Sequence, residues 1–239
     1  MEIEITTPEN VKQKLIDAGI VLAQKGQGDM TRGHLSARVP GESSLFFMKP
    51  HSVGLDEITM DNILTIDLDG KVVAGSGRRH SEVFIHSEIY RLRPNVEAII
   101  HTHPLYTVAL SGSTRPIRPL SQGGAVFADS LPLYTDTIDL IRTPEMGRGV
   151  ATALGPHSAV LLKNHGAVVT GRSLDEAVVL LVMLEDAAQI QLIAEAAGDI
   201  APYFSDAQIA DLREKLTQPD QFMVNFDYLV RHAKRQQKA

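Results

Sequence analysis

Apolar residues along this chain recur first at helical spacing, then at strand spacing, and then mix the two without strict alternation. Thr7-Pro8-Glu9-Asn10 reads as a helix start, with Thr7 as the cap and Pro8 in the first turn. Val11, Leu15, Ile16, Ile20 and Leu22 carry that helix toward Gly26. A Gly-rich segment, Gly26–Gly33, leads into expected strands at His34–Val39, Leu45–Met48 and Ile63–Asp67. Asp69-Gly70 joins the last of these to Lys71–Val73 as a two-residue hairpin. Ser81 is read as the cap of a helix with Phe84, Ile85, Ile89 and Leu92 on one side, ending before Pro94. Val96–His101 reads as a strand and Tyr106–Ser111 as a helix; Ala125–Tyr134 and Ser158–Val169 read as further strands, with a helix from about Thr143 to Leu154 between them. Ser173-Leu174-Asp175-Glu176 has the form of a capping box and opens the longest helix, through Ala197; a final polar helix begins near Ser205. This order favours an α/β sandwich with a central, largely antiparallel sheet over a Rossmann repeat. No repeat or linker divides residues 1–239, so one domain is expected.

Composition narrows the chemistry. The 239 residues, 44% hydrophobic, suffice for one core. A net charge of −6 leaves no global basic field for nucleic acid or anionic membranes. Arg231, Lys234, Arg235 and Lys238 gather at the end of the chain as a solvated helix terminus. With no cysteine, disulfides, thiolate–zinc sites and a cysteine nucleophile are excluded, and any metal must be held by His, Asp and Glu. The N-terminal MEIEITTPENVKQ is acidic, unlike a secretory leader, and no uninterrupted apolar stretch approaches a membrane span, so a soluble cytoplasmic protein is expected.

The histidines are unevenly placed. The apolar run Val96–Ile100 opens into His101-Thr102-His103-Pro104, and Ala159–Leu162 opens into Lys163-Asn164-His165-Gly166. Side chains two apart on a strand share a face, so His101 and His103 can reach one ion. His165 as a third neutral imidazole completes a catalytic arrangement with an open fourth position. An HxH pair by itself also reads as two polar residues at a strand end; the common strand-end location of all three favours ligation. Glu82 lies at the start of the helix after Ser81, where the dipole favours an anion, and a glutamate there needs no further role. His86, one turn on, either orients Glu82 or packs. Arg78-Arg79-His80-Ser81 brings guanidiniums, an imidazole and free N–H groups to that helix start, a pocket for a carboxylate or phosphate or else a solvated turn. Tyr203, Phe204 and Tyr228 either close such a pocket from the C-terminal side or belong to the core. No GxGxxG, Walker or GxSxG pattern occurs.

Taken together, Gly33-His34-Leu35-Ser36-Ala37-Arg38, Ser81-Glu82, His101-Thr102-His103-Pro104 and Asn164-His165-Gly166-Ala167 resemble the class II aldolase/adducin family over most of the chain. The resemblance implies an αβα sandwich, a cyclic homotetramer with active sites between subunits, and one zinc or manganese ion per subunit on His101, His103 and His165, with Glu82 as the catalytic acid–base group. This chain departs from the sugar-phosphate members in having His34 where they have Asn, His51-Ser52-Val53-Gly54 near their Thr-Gly turn, and His80-Ser81-Glu82 where they have Ser-Ser-Glu. It also has no tyrosine near Ser121-Gln122. These departures point toward a carboxylate in place of a phosphate, held by His34, His51, Arg79, His80 and Ser81. They match best the family's decarboxylases of hydroxylated aromatic, pyridine or ring-cleavage acids. An aldolase acting on a hydroxy-keto acid or sugar, and a non-catalytic assembly domain, are the alternatives.

Overall fold

The computed structural model describes residues 6–113, 115–198, 200 and 204–237. Thr7 Oγ1 accepts the Asn10 N–H at 3.2 Å and starts helix α1 (Pro8–Gln24), as the Thr-Pro pair predicts. Strands β1 (His34–Val39), β2 (Glu42–Met48), β3 (Leu64–Asp67) and β4 (Val72–Ala74) follow as an antiparallel meander. The Asp67 carboxylate accepts from the N–H groups of Asp69 (3.0 Å) and Lys71 (2.9 Å), and Gly70 adopts φ +78°. The last hairpin therefore turns where Asp69-Gly70 predicts.

The chain continues through α2 (Val83–Leu92), β5 (Ala98–Thr102), α3 (Leu105–Ser111), α4 (Gln122–Phe127), β6 (Leu133–Tyr134) and α5 (Pro144–Leu154). It ends with β7 (Ala159–Leu162), β8 (Gly166–Gly171), α6 (Leu174–Ala197), α7 (Asp206–Leu216) and α8 (Pro219–Gln236). One sheet of order β4-β3-β2-β1-β5-β8-β7-β6 results, antiparallel except between β6 and β7. Alternation along the strands divides the core. Leu35, Phe47, Ala98, Ile100 and Val169 pack with α1, α6 and α8 on one side. Phe46, Met48, Ile66, Ile99 and Val168 pack with α2 and α5 on the other. Each fully buried aliphatic or phenyl side chain contributes roughly 1.5–3 kcal/mol to holding these layers together. The result is an αβα sandwich about a largely antiparallel sheet.

Several local expectations are corrected. The segment expected as a strand over Ala125–Tyr134 is not one: Ser121 Oγ accepts the Gly124 N–H at 3.0 Å and starts α4, which takes in Ala125–Phe127, a turn and irregular stretch follows, and only Leu133–Tyr134 is strand. A short apolar run fits either structure, and the cap decides. Ser81 does not cap α2; Glu82 occupies the cap position without a side-chain bond to the helix, which leaves its carboxylate free for the site. Ser173 caps α6 through the Glu176 N–H (3.1 Å), but the Glu176 carboxylate accepts from the Arg172 N–H (2.9 Å), so the reciprocal half of the box is diverted. The final polar helix is two, because Pro219 cannot continue α7 and starts α8 instead. Lys234 in the terminal basic cluster is not simply solvated, since it pairs with Asp17 of α1 at 2.8 Å; Lys238, Tyr203 and the first five residues lie outside the described residues. By length and mean hydropathy, 1.8 over one window, α6 could cross a membrane, although Glu185-Asp186 interrupt its apolar run. Here that helix lies against the sheet with α3, α4 and α8 packed on it, and most of its N-terminal half, Leu174–Leu184, is buried.

Candidate metal centre

Three structural devices bring the histidines together. The β1–β5 pairing sets His34 opposite His101, and both leave the α2 side of the sheet together with Ser36 and Ile99. The β7–β8 turn is made by Asn164 at φ +56°, a conformation asparagine tolerates, and its N–H donates to Ser111 Oγ at 3.0 Å. At Gly166 a Cβ would lie 2.4 Å from Thr102 O and 2.7 Å from His103 Cδ2, so only glycine lets this turn close onto β5. One ring nitrogen from each of His101, His103 and His165 then falls within 4.8 Å of the others.

The hydrogen positions follow from the partners. His101 Nδ1 meets Ala167 O at 3.0 Å, and His103 Nδ1 meets Asp29 Oδ2 at 2.7 Å. Both partners only accept, so both Nδ1 atoms carry the hydrogen and both Nε2 atoms present lone pairs. Those two Nε2 atoms are 3.1 Å apart. Two lone pairs at that distance call for a cation to join them. His165 Nε2 is buried without a hydrogen-bond partner beside them. The donor set suits a divalent ion of imidazole preference, with Asp29 and Ala167 orienting the rings.

Glu82 faces this cluster. Its Oε1 accepts the Ile141 N–H at 2.9 Å and is 3.7 Å from His165 Nε2, while Oε2 is 3.8 Å from His101 Nε2 and 3.9 Å from His34 Nε2. Burial raises the Glu82 pKa, and the Ile141 hydrogen bond partly opposes the rise. Burial lowers His165 to about 4 and holds His101 well below the ordinary imidazole range, with the neighbouring histidines adding to it. Neutral rings are the form that ligates a metal.

The cluster opens into a cleft of about 650 Å³. Of the residues expected to hold a substrate, His51, His80 and Ser81 line it. Burial brings His80 down to about 3, with the Lys49 charge contributing, and also lowers His51. Arg79 does not line the cleft: its guanidinium lies 5.3 Å over the Phe84 ring and donates to His80 O. His34 is fully buried behind Glu82 and not on the cleft wall. His86 shares a helix face with Glu82 but hydrogen-bonds to His34 and Ser36. Phe204 and Tyr228 are exposed and outside the cleft. Other contributors escaped sequence reasoning: Asp29, Thr31, Arg32 and Asp139, the apolar wall of Leu105, Val108, Ile138 and Leu140, and Lys49, wholly buried at 3.1 Å from His80 Nε2. Asp29 lies in the Gly-rich segment Gly26–Gly33, which carries neither a GxGxxG nor a Walker pattern.

Fold and site together define a protein of the αβα class II aldolase type with a three-histidine cluster at a sheet end. The chain belongs to the class II aldolase and adducin N-terminal domain family, which it matches over residues 13–192. It is 30% identical over 204 residues to a 3,4-dihydroxyphthalate decarboxylase of Arthrobacter keyseri, covering 80% of this chain and 82% of that one. It is 34% identical over 172 residues to the decarboxylase NovR of Streptomyces niveus, covering 71% of this chain and 64% of that one, so it spans just under two thirds of that relative. In structure it is similar to an L-fuculose 1-phosphate aldolase from Glaciozyma antarctica PI12, with TM-score 0.86, 26% identity, and coverage of 100% of this chain and 95% of that one.

Proposed function

We propose that this chain is a divalent-metal-dependent carbon–carbon lyase that decarboxylates a hydroxylated aromatic, pyridine or ring-cleavage carboxylate. The carrying observation is the pair of facing lone pairs on His101 and His103, 3.1 Å apart, beside the buried Glu82. His101, His103 and His165 would hold one zinc or manganese ion. Bound there, the cation supplies a Lewis acid for negative charge developing on a substrate oxygen.

The chain's own groups divide the remaining work. Arg32, His51 and His80 give the cleft a hydrogen-bonding, partly cationic side suited to a carboxylate, with the Ser81 hydroxyl beside them. Leu105, Val108, Ile138 and Leu140 give it an apolar side suited to the face of a planar ring. As the bond from the ring carbon to the carboxylate breaks, CO₂ leaves and the electron pair stays on the carbon side. Glu82 then relays a proton from water to that carbon, where it replaces CO₂. The relationship to a dihydroxyphthalate decarboxylase supports this substrate class. Aldol cleavage of a hydroxy-keto acid or sugar is the second reading, favoured by the aldolase-like structure; a cyclic homotetramer with sites between subunits accompanies either.

The test is CO₂ release by zinc- or manganese-loaded protein from a panel of hydroxy-aromatic and hydroxypyridine carboxylates, with Glu82→Gln and His103→Ala alongside. Metal-dependent release, lost in both variants, is the expected result. Aldehyde formation from hydroxy-keto acids without CO₂ release would move the assignment to aldol cleavage. Silence in both assays from protein that binds no metal would favour an assembly role.

A further inference from the structure

Behind Glu82 runs a buried chain of four side chains from two elements, His34 and Ser36 of β1 and His86 and Tyr90 of α2. His34 Nδ1 meets His86 Nε2 at 2.7 Å, His86 Nδ1 meets Ser36 Oγ at 2.6 Å, and Ser36 Oγ meets the Tyr90 hydroxyl at 2.8 Å. His34, Ser36 and His86 are fully buried and Tyr90 nearly so. His34 Nε2, at the other end, has no hydrogen-bond partner and stands 3.9 Å from Glu82 Oε2. By position alone, His34, Glu82 and His101 would also serve as a ligand set, since their atoms too lie within 4.8 Å of one another.

Counting hydrogens decides between the two uses of His34. Four neutral groups bring four N–H or O–H hydrogens, and three links consume three of them. The fourth must project from one end of the chain or from Ser36, whose oxygen can accept from both neighbours; the Ser36 hydroxyl has no third partner among the described residues, which disfavours that order. If it projects from Tyr90, it points into packing where the phenol has no acceptor besides Ser36 among the described residues, with the Arg38 guanidinium 4.5 Å over the ring. That order also turns the lone pair of His34 Nε2 toward the Glu82 carboxylate, which is repulsive. If the fourth hydrogen projects from His34 Nε2, it faces Glu82 Oε2. Every link then runs one way: Tyr90 donates to Ser36, Ser36 to His86 Nδ1, and His86 Nε2–H to His34 Nδ1.

We propose that Tyr90, Ser36 and His86 fix His34 as the Nε2–H tautomer, a standing donor toward Glu82 that is thereby excluded from the metal's ligand set. His34 is then a positioning residue: it holds Glu82, and it offers a hydrogen bond to whatever oxygen enters between them. This assignment rests on the three-histidine metal site described above. It also explains why a fourth imidazole beside His101 need not compete for the ion.

The test reads the tautomer directly, without activity. Long-range ¹H–¹⁵N spectra of the histidine-labelled, metal-free protein are expected to show His34 with a pyrrole-type Nε2 and a pyridine-type Nδ1. The reverse pattern overturns the proposal. Ser36→Ala removes the donor to His86 and is expected to give averaged His34 shifts, and Ser36→Thr to restore the single tautomer; an unchanged tautomer in Ser36→Ala would refute the relay. Titration with zinc alone is expected to move the Nε2 signals of His101, His103 and His165 and to leave His34 Nε2–H intact. Coordination by His34 overturns the proposal, whereas failure of zinc to bind at all would count against the metal site and leave the tautomer result standing.

Discussion

Replacing His80 with asparagine is expected to flatten the protein's acid sensitivity by a definite slope. Burial and the Lys49 charge bring the His80 pKa from 6.5 to about 3 in the folded state. The ring therefore stays neutral in the native protein while an unfolded chain takes up a proton below pH 6.5. Native stability falls as pH drops through that window, by about 1.4 kcal/mol per pH unit for one such group. Between pH 7.5 and pH 5 this amounts to roughly 2 kcal/mol, a sizeable part of a typical total of about 5–15 kcal/mol. His86, also brought to about 3 by burial, acts in the same direction. Glu82 acts oppositely, because its raised pKa lets the native state bind a proton first as the pH falls. The decisive quantity is thus the difference between wild type and His80→Asn, in which the other groups cancel. Urea denaturation followed by circular dichroism, in chelator at several pH values from 7.5 to 5, measures it. Stability of the variant should decline with a slope shallower by about one proton's worth. Parallel stability–pH curves for the two proteins would refute the buried, neutral assignment of His80.

Three further outcomes follow from the geometry. Asp29→Asn removes the carboxylate that fixes the His103 tautomer and is expected to weaken zinc binding about 10–100-fold, read by competition with a chromophoric chelator. Gly166→Ala introduces a Cβ 2.4 Å from Thr102 O; we expect a loss of roughly 1–3 kcal/mol in denaturation together with weakened zinc binding, because His103 is displaced. Glu185 accepts from the N–H groups of Tyr106 and Thr107 at the start of α3, and Glu185→Ala should cost about 1–3 kcal/mol, with zinc affinity nearly unchanged if α3 is only a support.

The sequence made the three-histidine cluster legible because each of His101, His103 and His165 lies where a short apolar strand gives way to polar residues. The sandwich was legible too, from irregular alternation between the two periodicities. Where the reading failed, a side chain or a cap decided between structures that periodicity cannot separate. Ala125–Phe127 is apolar enough for either a strand or a helix, and Ser121 selects the helix. Arg79 was assigned to the substrate because it adjoins His80, yet adjacent residues in an extended segment point apart, and its guanidinium stacks on Phe84. Asp29 and Lys49 reach the site from loops some tens of residues away in sequence, so no local pattern announced them. The spacing of Glu82, His86 and Tyr90 at intervals of four was visible. Its meaning was not, because Ser36 and His34 arrive from a different strand.

The apolar content of α6 bears on how the chain is made. Synthesis runs from the N-terminus, so the 24 residues of α6 leave the ribosome before α8 exists to cover them. During that interval the nascent chain displays a segment that meets the length and hydropathy of a membrane anchor. Folding of the sheet onto its inner side and arrival of α8 on its outer side therefore compete with insertion and aggregation, and a chain truncated before Pro219 would carry that hazard permanently.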